Sequence, residues 1–124
     1  MLSDLFEALV QLSYRQLGPV RVIAVQGRLD HTHAPGFESE LLPQLQACDR
    51  TGMPVVLDFS GVDYISSVGL RVLMLAAKQV RAQQGLIAIA ALSPIVAEIF
   101  QVSHFDMVLR VFADVDSAST ALLQ

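Results

Sequence analysis

Cysteine is almost absent from this chain. Cys48 is the only one in 124 residues, so no internal disulfide can form, and a reducing cytoplasm is the expected setting. Charge is sparse as well. Only 16% of residues are charged, the net charge is −4, and no basic cluster interleaved with aromatics occurs. That balance argues against nucleic acid as the direct partner and leaves a protein. Long apolar runs are missing too: the longest, Leu86 to Leu92, is far short of a bilayer span. The N-terminus is acidic and lacks a basic segment, so neither a membrane anchor nor a secretory leader is expected. No internal repeat, low-complexity tract or linker-like shift of composition divides the chain, which has the length of one domain.

The signatures of catalysis are equally thin. There is no G-x-x-x-x-G-K run and no G-x-S-x-G elbow, and no His and Asp pair is placed by sequence to activate a serine. Asp30 lacks the paired acids that a phosphate-receiving aspartate needs, and Lys78 lies deep in a helical segment. Asp30, His31 and His33, with His104 as a third nitrogen, are metal-binding residue types. No second carboxylate or cysteine has ligand spacing, so an exposed loop with a helix cap is expected there, with no metal, no cofactor and no intrinsic enzyme activity.

What the chain does hold is apolar sequence arranged in periods. Its 53% hydrophobic content and mean hydropathy of +0.52 suit strands covered on both faces. The organising stretch is PVVLDFSGVDYISSVGLRVLMLAAKQ, from Pro54 to Gln79. Pro54 to Phe59 reads as an interior strand, broken by Ser60 and Gly61. Leu70, Leu73, Met74, Ala77 and Val80 then trace one face of a helix that ends before Gly85. Ser66 and Ser67 fall at its start, where either hydroxyl can accept from the unpaired N–H groups of the first turn. The same groups and the helix dipole also favour a phosphate. Gly69 is expected to leave that approach uncrowded, so Gly69→Val should impair partner engagement more than folding.

Around this stretch the elements follow in turn. Residues 1–9 form an N-terminal extension in which Leu2, Leu5, Phe6 and Leu9 keep helical spacing, either a short helix or a frayed end. Residues 10–124 form the domain. Val10 to Gln16 alternates as a strand, Gly18-Pro19 turns it, and Val20 to Gln26 completes a hairpin. After a loop from Gly27 to His33, Pro35 opens a helix with Phe37, Leu41, Leu45 and Cys48 as its apolar stripe. Leu86 to Ala91 is a covered strand. Ser93-Pro94 caps a helix with Val96, Ile99 and Phe100 inward, Met107 to Phe112 is a last strand, and Asp114 caps a terminal helix. The order β-β-α-β-α-β-α-β-α predicts an α/β domain, a mostly parallel mixed sheet with one antiparallel hairpin and about four helices.

Two segments in the right order, VRVIAVQGRLD ending at Asp30 and LDFSGVDYISSVGLRVL, resemble the signature of STAS domains of the anti-sigma-factor antagonist type. The ALSP join at Ala91 to Pro94 and FQVSHFDMVLRVF are similar to the family as well, so the resemblance runs from about Val10 to the C-terminus. It implies a STAS fold and a role in bacterial transcription control by partner switching. Unphosphorylated, such a protein binds an anti-sigma factor that is also a serine kinase of the gyrase and Hsp90-like ATPase family. Phosphorylation separates the two, and a PP2C-type phosphatase resets the pair. The match puts Ser67 on the phosphoacceptor. Ser66 stands where the family often has Asp, which makes Ser66 a rival acceptor and leaves a non-phosphorylated STAS scaffold as the alternative. Asp30 falls at the edge of the site, Asp58 and Ser60 at the strand end beneath it, and Ser66, Val68, Gly69, Leu70 and Arg71 against the partner. Arg71 is either a solvated residue or one that reaches a phosphate on Ser67. His104 occupies a position where the family usually has glycine, which implies a left-handed cap.

Overall fold

A computed structural model describes residues 10–124. The expected N-terminal turn of helix lies outside the described residues. Strand β1 (Val10–Leu17) turns through Gly18, at φ +59°, into β2 (Val20–Leu29), and the two pair antiparallel. Helix α1 (Ala34–Gln44), β3 (Val55–Ile65), α2 (Ser67–Ala82), β4 (Ile87–Ala90), α3 (Pro94–Val102), a 3₁₀ turn (Phe105–Met107), β5 (Arg110–Phe112) and α4 (Val115–Leu122) follow. The five strands lie in the order β1-β2-β3-β4-β5, with β2 to β5 parallel. The predicted element order and the mixed sheet are those observed.

Each face of the sheet is covered because the strands are apolar on both sides. Ile23, Val25, Leu57, Phe59 and Ile89 pack beneath Phe37 and Leu41 of α1, Leu73 and Ala76 of α2, and Val96 and Phe100 of α3. On the opposite face Val20, Val56, Ala88 and Ala90 meet Ala118 and Leu122 of α4. Three helices therefore share one face. Their N-termini, and the ends of β2 and β3, fall at the carboxyl edge of the parallel sheet, where open α/β sheets place their ligands.

Several boundaries differ from the sequence reading. Ser60 and Gly61 do not break the central strand. Pairing with β2 passes from Ala24↔Asp58 to Gln26↔Gly61, then from Gly27↔Val62 to Arg28↔Tyr64, so two bulges carry β3 on to Ile65. By the same pairing β2 continues to Leu29, and the expected loop from Gly27 shrinks to the turn after Leu29. Helix α1 contains Pro43, which has no N–H to continue the ladder, and it ends at Gln44. Leu45 and Cys48 are buried beyond its end instead of on its stripe. Ala91 takes φ +63° and stops β4 at Ala90. The expected strand from Met107 is a 3₁₀ turn followed by three strand residues, and Met107 is 82% exposed. His104 does adopt the left-handed conformation, at φ 58° and ψ 27°.

Candidate functional site

The carbonyl oxygen of Leu29, the last residue of β2, fixes the geometry at the carboxyl edge. It accepts the backbone N–H of Ser66 at 2.9 Å and the Ser66 hydroxyl at 3.1 Å. Ser66 Oγ in turn accepts the N–H of Gly69 at 3.2 Å, which makes Ser66 the N-cap of α2 in extended backbone conformation. Ser67 is the first helical residue and is exposed, and among the described residues no group bonds its hydroxyl. Nor, among the described residues, does any acceptor meet the N–H of Ser67 or Val68, so the open end of the helix faces outward beside that hydroxyl. Of the two candidate caps, Ser66 is the one used.

Gly69 does not serve as an open approach. It is buried, and a Cβ there would lie 2.8 Å from the Leu29 carbonyl oxygen and 2.8 Å from Ile65 Cγ1. Glycine is needed because α2 starts in contact with the end of β2, so against the expectation that Gly69→Val impairs partner engagement more than folding, the added side chain should act on folding directly. Val68 and Arg71 are exposed and Leu70 is half-buried.

Asp30 begins the turn into α1. Its Oδ1 accepts the N–H groups of Thr32 at 3.1 Å and His33 at 3.0 Å, and His33 Nδ1 lies 2.7 Å away, close but not aligned as a hydrogen bond. Its Oδ2 lies 3.4 Å from Arg28 Nε, and the Arg28 guanidinium stacks over the Tyr64 ring at 4.3 Å. Partial burial would push the Asp30 carboxyl up. The hydrogen bonds from His33 and Thr32 outweigh that effect and hold it below the ordinary carboxylate value. The helix cap expected of this loop takes a different form, because His33 occupies the N-cap position without a capping side-chain bond and Asp30 braces the turn before it. Among the described residues no group of three or more His, Cys, Asp or Glu side chains converges as a metal site.

The predicted residues therefore divide. Asp30, Ser66, Ser67, Val68, Gly69, Leu70 and Arg71 gather around the end of β2 and the start of α2. Ser60 does not join them. The bulges lengthen β3 so that Ser60 stands five residues before its end, roughly 16 Å back along the strand. There it lines a shallow cavity of about 430 Å³ with Leu12, Ala24, Gln26 and Glu40, and its N–H bonds Asp58 Oδ1 at 3.0 Å. Asp58 pairs with Ala24 and Ala90 in mid-sheet and is likewise not at the strand end. The Arg28–Tyr64 stack was not legible in the sequence, since it depends on the register after the second bulge.

Residues 11–118 match the STAS domain, and the chain belongs to that family. It is 35% identical over 112 residues to BtrV of Bordetella bronchiseptica, which is named as an anti-sigma factor antagonist, with 90% of this chain and 94% of that one covered. It shares its fold with an anti-sigma factor antagonist from Mycobacterium paratuberculosis, at TM-score 0.80 and 22% identity over 93% of this chain and 95% of that one. The Bacillus cell fate determinant SpoIIAA in its phosphorylated form has the same fold, at TM-score 0.60 and 16% identity over 87% of this chain and 96% of that one. Among the described residues no helix is long and apolar enough to cross a membrane.

Proposed function

We propose that the protein is an anti-sigma factor antagonist that works by partner switching. Unmodified, it binds an anti-sigma factor that is also a serine kinase of the gyrase and Hsp90-like ATPase family. Phosphorylation of Ser67 by that kinase ends the complex, and a PP2C-type phosphatase restores the binding form. The observation that carries this reading is the contrast between two neighbouring hydroxyls. That of Ser66 is held between the Leu29 carbonyl and the Gly69 N–H, whereas that of Ser67 is exposed at the first position of α2. The naming of BtrV supports the partner class. Asp30, Val68, Leu70 and Arg71 surround the serine and form the contact surface.

The sign of the switch follows from two opposing terms. A phosphate adds about −1.5 to −2 charge, and in the free protein the N-terminus of α2 favours it by about 0.3–1 kcal/mol. Enclosed in an interface without a cradle of cations, the same dianion costs several kcal/mol, and about 1.4 kcal/mol is a factor of ten in affinity. The modified protein therefore stays folded and releases its partner.

Titration calorimetry of wild type, Ser67→Ala and Ser67→Asp against the kinase tests this. Ser67→Ala should bind and resist phosphorylation, and Ser67→Asp should bind at least about tenfold more weakly than wild type. Equal affinities for all three, or phosphate found on Ser66 alone, would overturn the assignment. Ser66 in place of the usual family acid favours a second reading, a STAS scaffold that binds without modification. A complex that forms with the kinase yet gains no phosphate with ATP supports that one.

A further inference from the structure

Helix α2 carries a second feature beyond its first turn. At about 100° per residue, Ser67, Arg71, Met74, Lys78 and Arg81 fall within about 40° of one line along the helix, a stripe roughly 21 Å long. All five are exposed. No Asp or Glu occurs anywhere between Ser67 and Ala82, and among the described residues no carboxylate lies within ion-pair distance of Arg71, Lys78 or Arg81. The contrast with the remainder is large. Three of the eight lysines and arginines stand on this one helix, while all twelve carboxylates lie elsewhere in the chain. Arg81 has an ordinary role too, since a cation in the last turn answers the helix dipole. Arg71 and Lys78, in the middle of the helix, have no such account.

Resting on the partner-switching reading, we infer that the outward stripe of α2 is the face that selects the partner, and that it fits an acidic helix or groove on a protein. A duplex or an anionic bilayer presents its charge over a wide area, and against it this chain of net charge −4 offers only one narrow line of cations. A protein can offer a few carboxylates spaced to match Arg71 and Lys78, about 10 Å apart along the helix. The apolar member points the same way. Met74 lies between the two cations and is 37% exposed, and a hydrophobic centre flanked by charge is how protein interfaces are built. The stripe begins at Ser67, so the regulated hydroxyl and the cations belong to one continuous surface. A phosphate on Ser67 lies one turn from Arg71 on the same line, within reach of its guanidinium. Modification would thus both place negative charge before an acidic partner and occupy the nearest cation.

The test uses the full chain and a serine kinase of the gyrase and Hsp90-like ATPase family from the same organism. Affinities are measured at low and high salt for wild type, for the double variant Arg71→Glu/Lys78→Glu, and for Arg15→Glu/Arg50→Glu. The last makes the same change in net charge at exposed sites away from α2. Thermal melts near wild type are expected for both variants, because all four side chains are exposed. The inference expects wild-type binding to weaken with salt, the stripe variant to lose at least about tenfold, mostly in association rate, and the control to stay within about twofold. Equal losses in the two variants, or salt-independent binding, would overturn it while leaving the partner-switching reading intact. So would wild-type protein that leaves the kinase for phosphatidylserine vesicles or a short DNA duplex. A wild-type chain that binds the kinase at neither salt concentration overturns the partner-switching reading itself, and this one with it.

Discussion

At Gly69 the space for a side chain is already filled by the Leu29 carbonyl and Ile65. Gly69→Val should therefore cost about 1–3 kcal/mol of stability, seen as a melting temperature lowered by several degrees. A variant that melts like wild type would show that the start of α2 yields to the added atoms. Asp30 gives a prediction of a different kind, in pH. Its carboxyl is held below the ordinary value in the folded protein, so it stabilises the fold above about pH 4 and loses that effect as pH falls through the depressed folded value. The stability gap between wild type and Asp30→Ala, followed by denaturant titration, should be full at neutral pH and shrink under acid. A gap that widened on acidification would assign the wrong sign to this carboxylate.

Three of the four helix starts were the most legible part of the sequence because each is written in one polar side chain with a local task, whereas α1 starts at His33 without one. Ser66, Ser93 and Asp114 accept from Gly69, Val96 and Ser117. Strand limits were less legible because they depend on a neighbour. Met107 to Phe112 has strand-like composition, but β4 offers partners only from Ala88 to Ala90, so β5 is limited to Arg110–Phe112. In the same way Ser60 and Gly61 read as a break until β2 is laid beside them, where the sheet takes in the extra residues as a bulge. That is why the sequence reading sets Ser60 beneath Ser67 although it lies back along the strand, whereas residues 66–71, contiguous in the chain, stay together in the fold. His104 was legible through the family pattern, and it supplies the prediction at this scale. A non-glycine residue in the left-handed region carries a penalty of about 1 kcal/mol, so His104→Gly should raise stability by up to that amount, measured in urea. A loss of stability would mean that the imidazole makes a compensating contact.

Across the whole molecule the parallel order of β2 to β5 collects the exposed Ser67, the Asp30 turn and the start of the basic stripe at one edge, with α4 alone on the opposite face. On the partner-switching proposal the chain should do nothing to ATP by itself. Incubation with radiolabelled ATP is expected to leave the protein unlabelled, and addition of the kinase to label Ser67. Labelling by ATP alone would make the protein an enzyme and overturn the division of labour between the two chains.

The double hydrogen bond to the Leu29 carbonyl makes that oxygen a built-in spectroscopic reporter. An isotope-edited infrared band from a 13C-labelled Leu29 carbonyl should sit at low frequency, because the oxygen accepts from both the N–H and the hydroxyl of Ser66. Phosphate on Ser67 leaves both donors in place and the band unmoved. Phosphate on Ser66 removes one donor and shifts the band upward, so a single labelled atom on the neighbouring strand, 37 residues from Ser66 in sequence, tells which of the two serines has reacted while the protein is still in solution and intact.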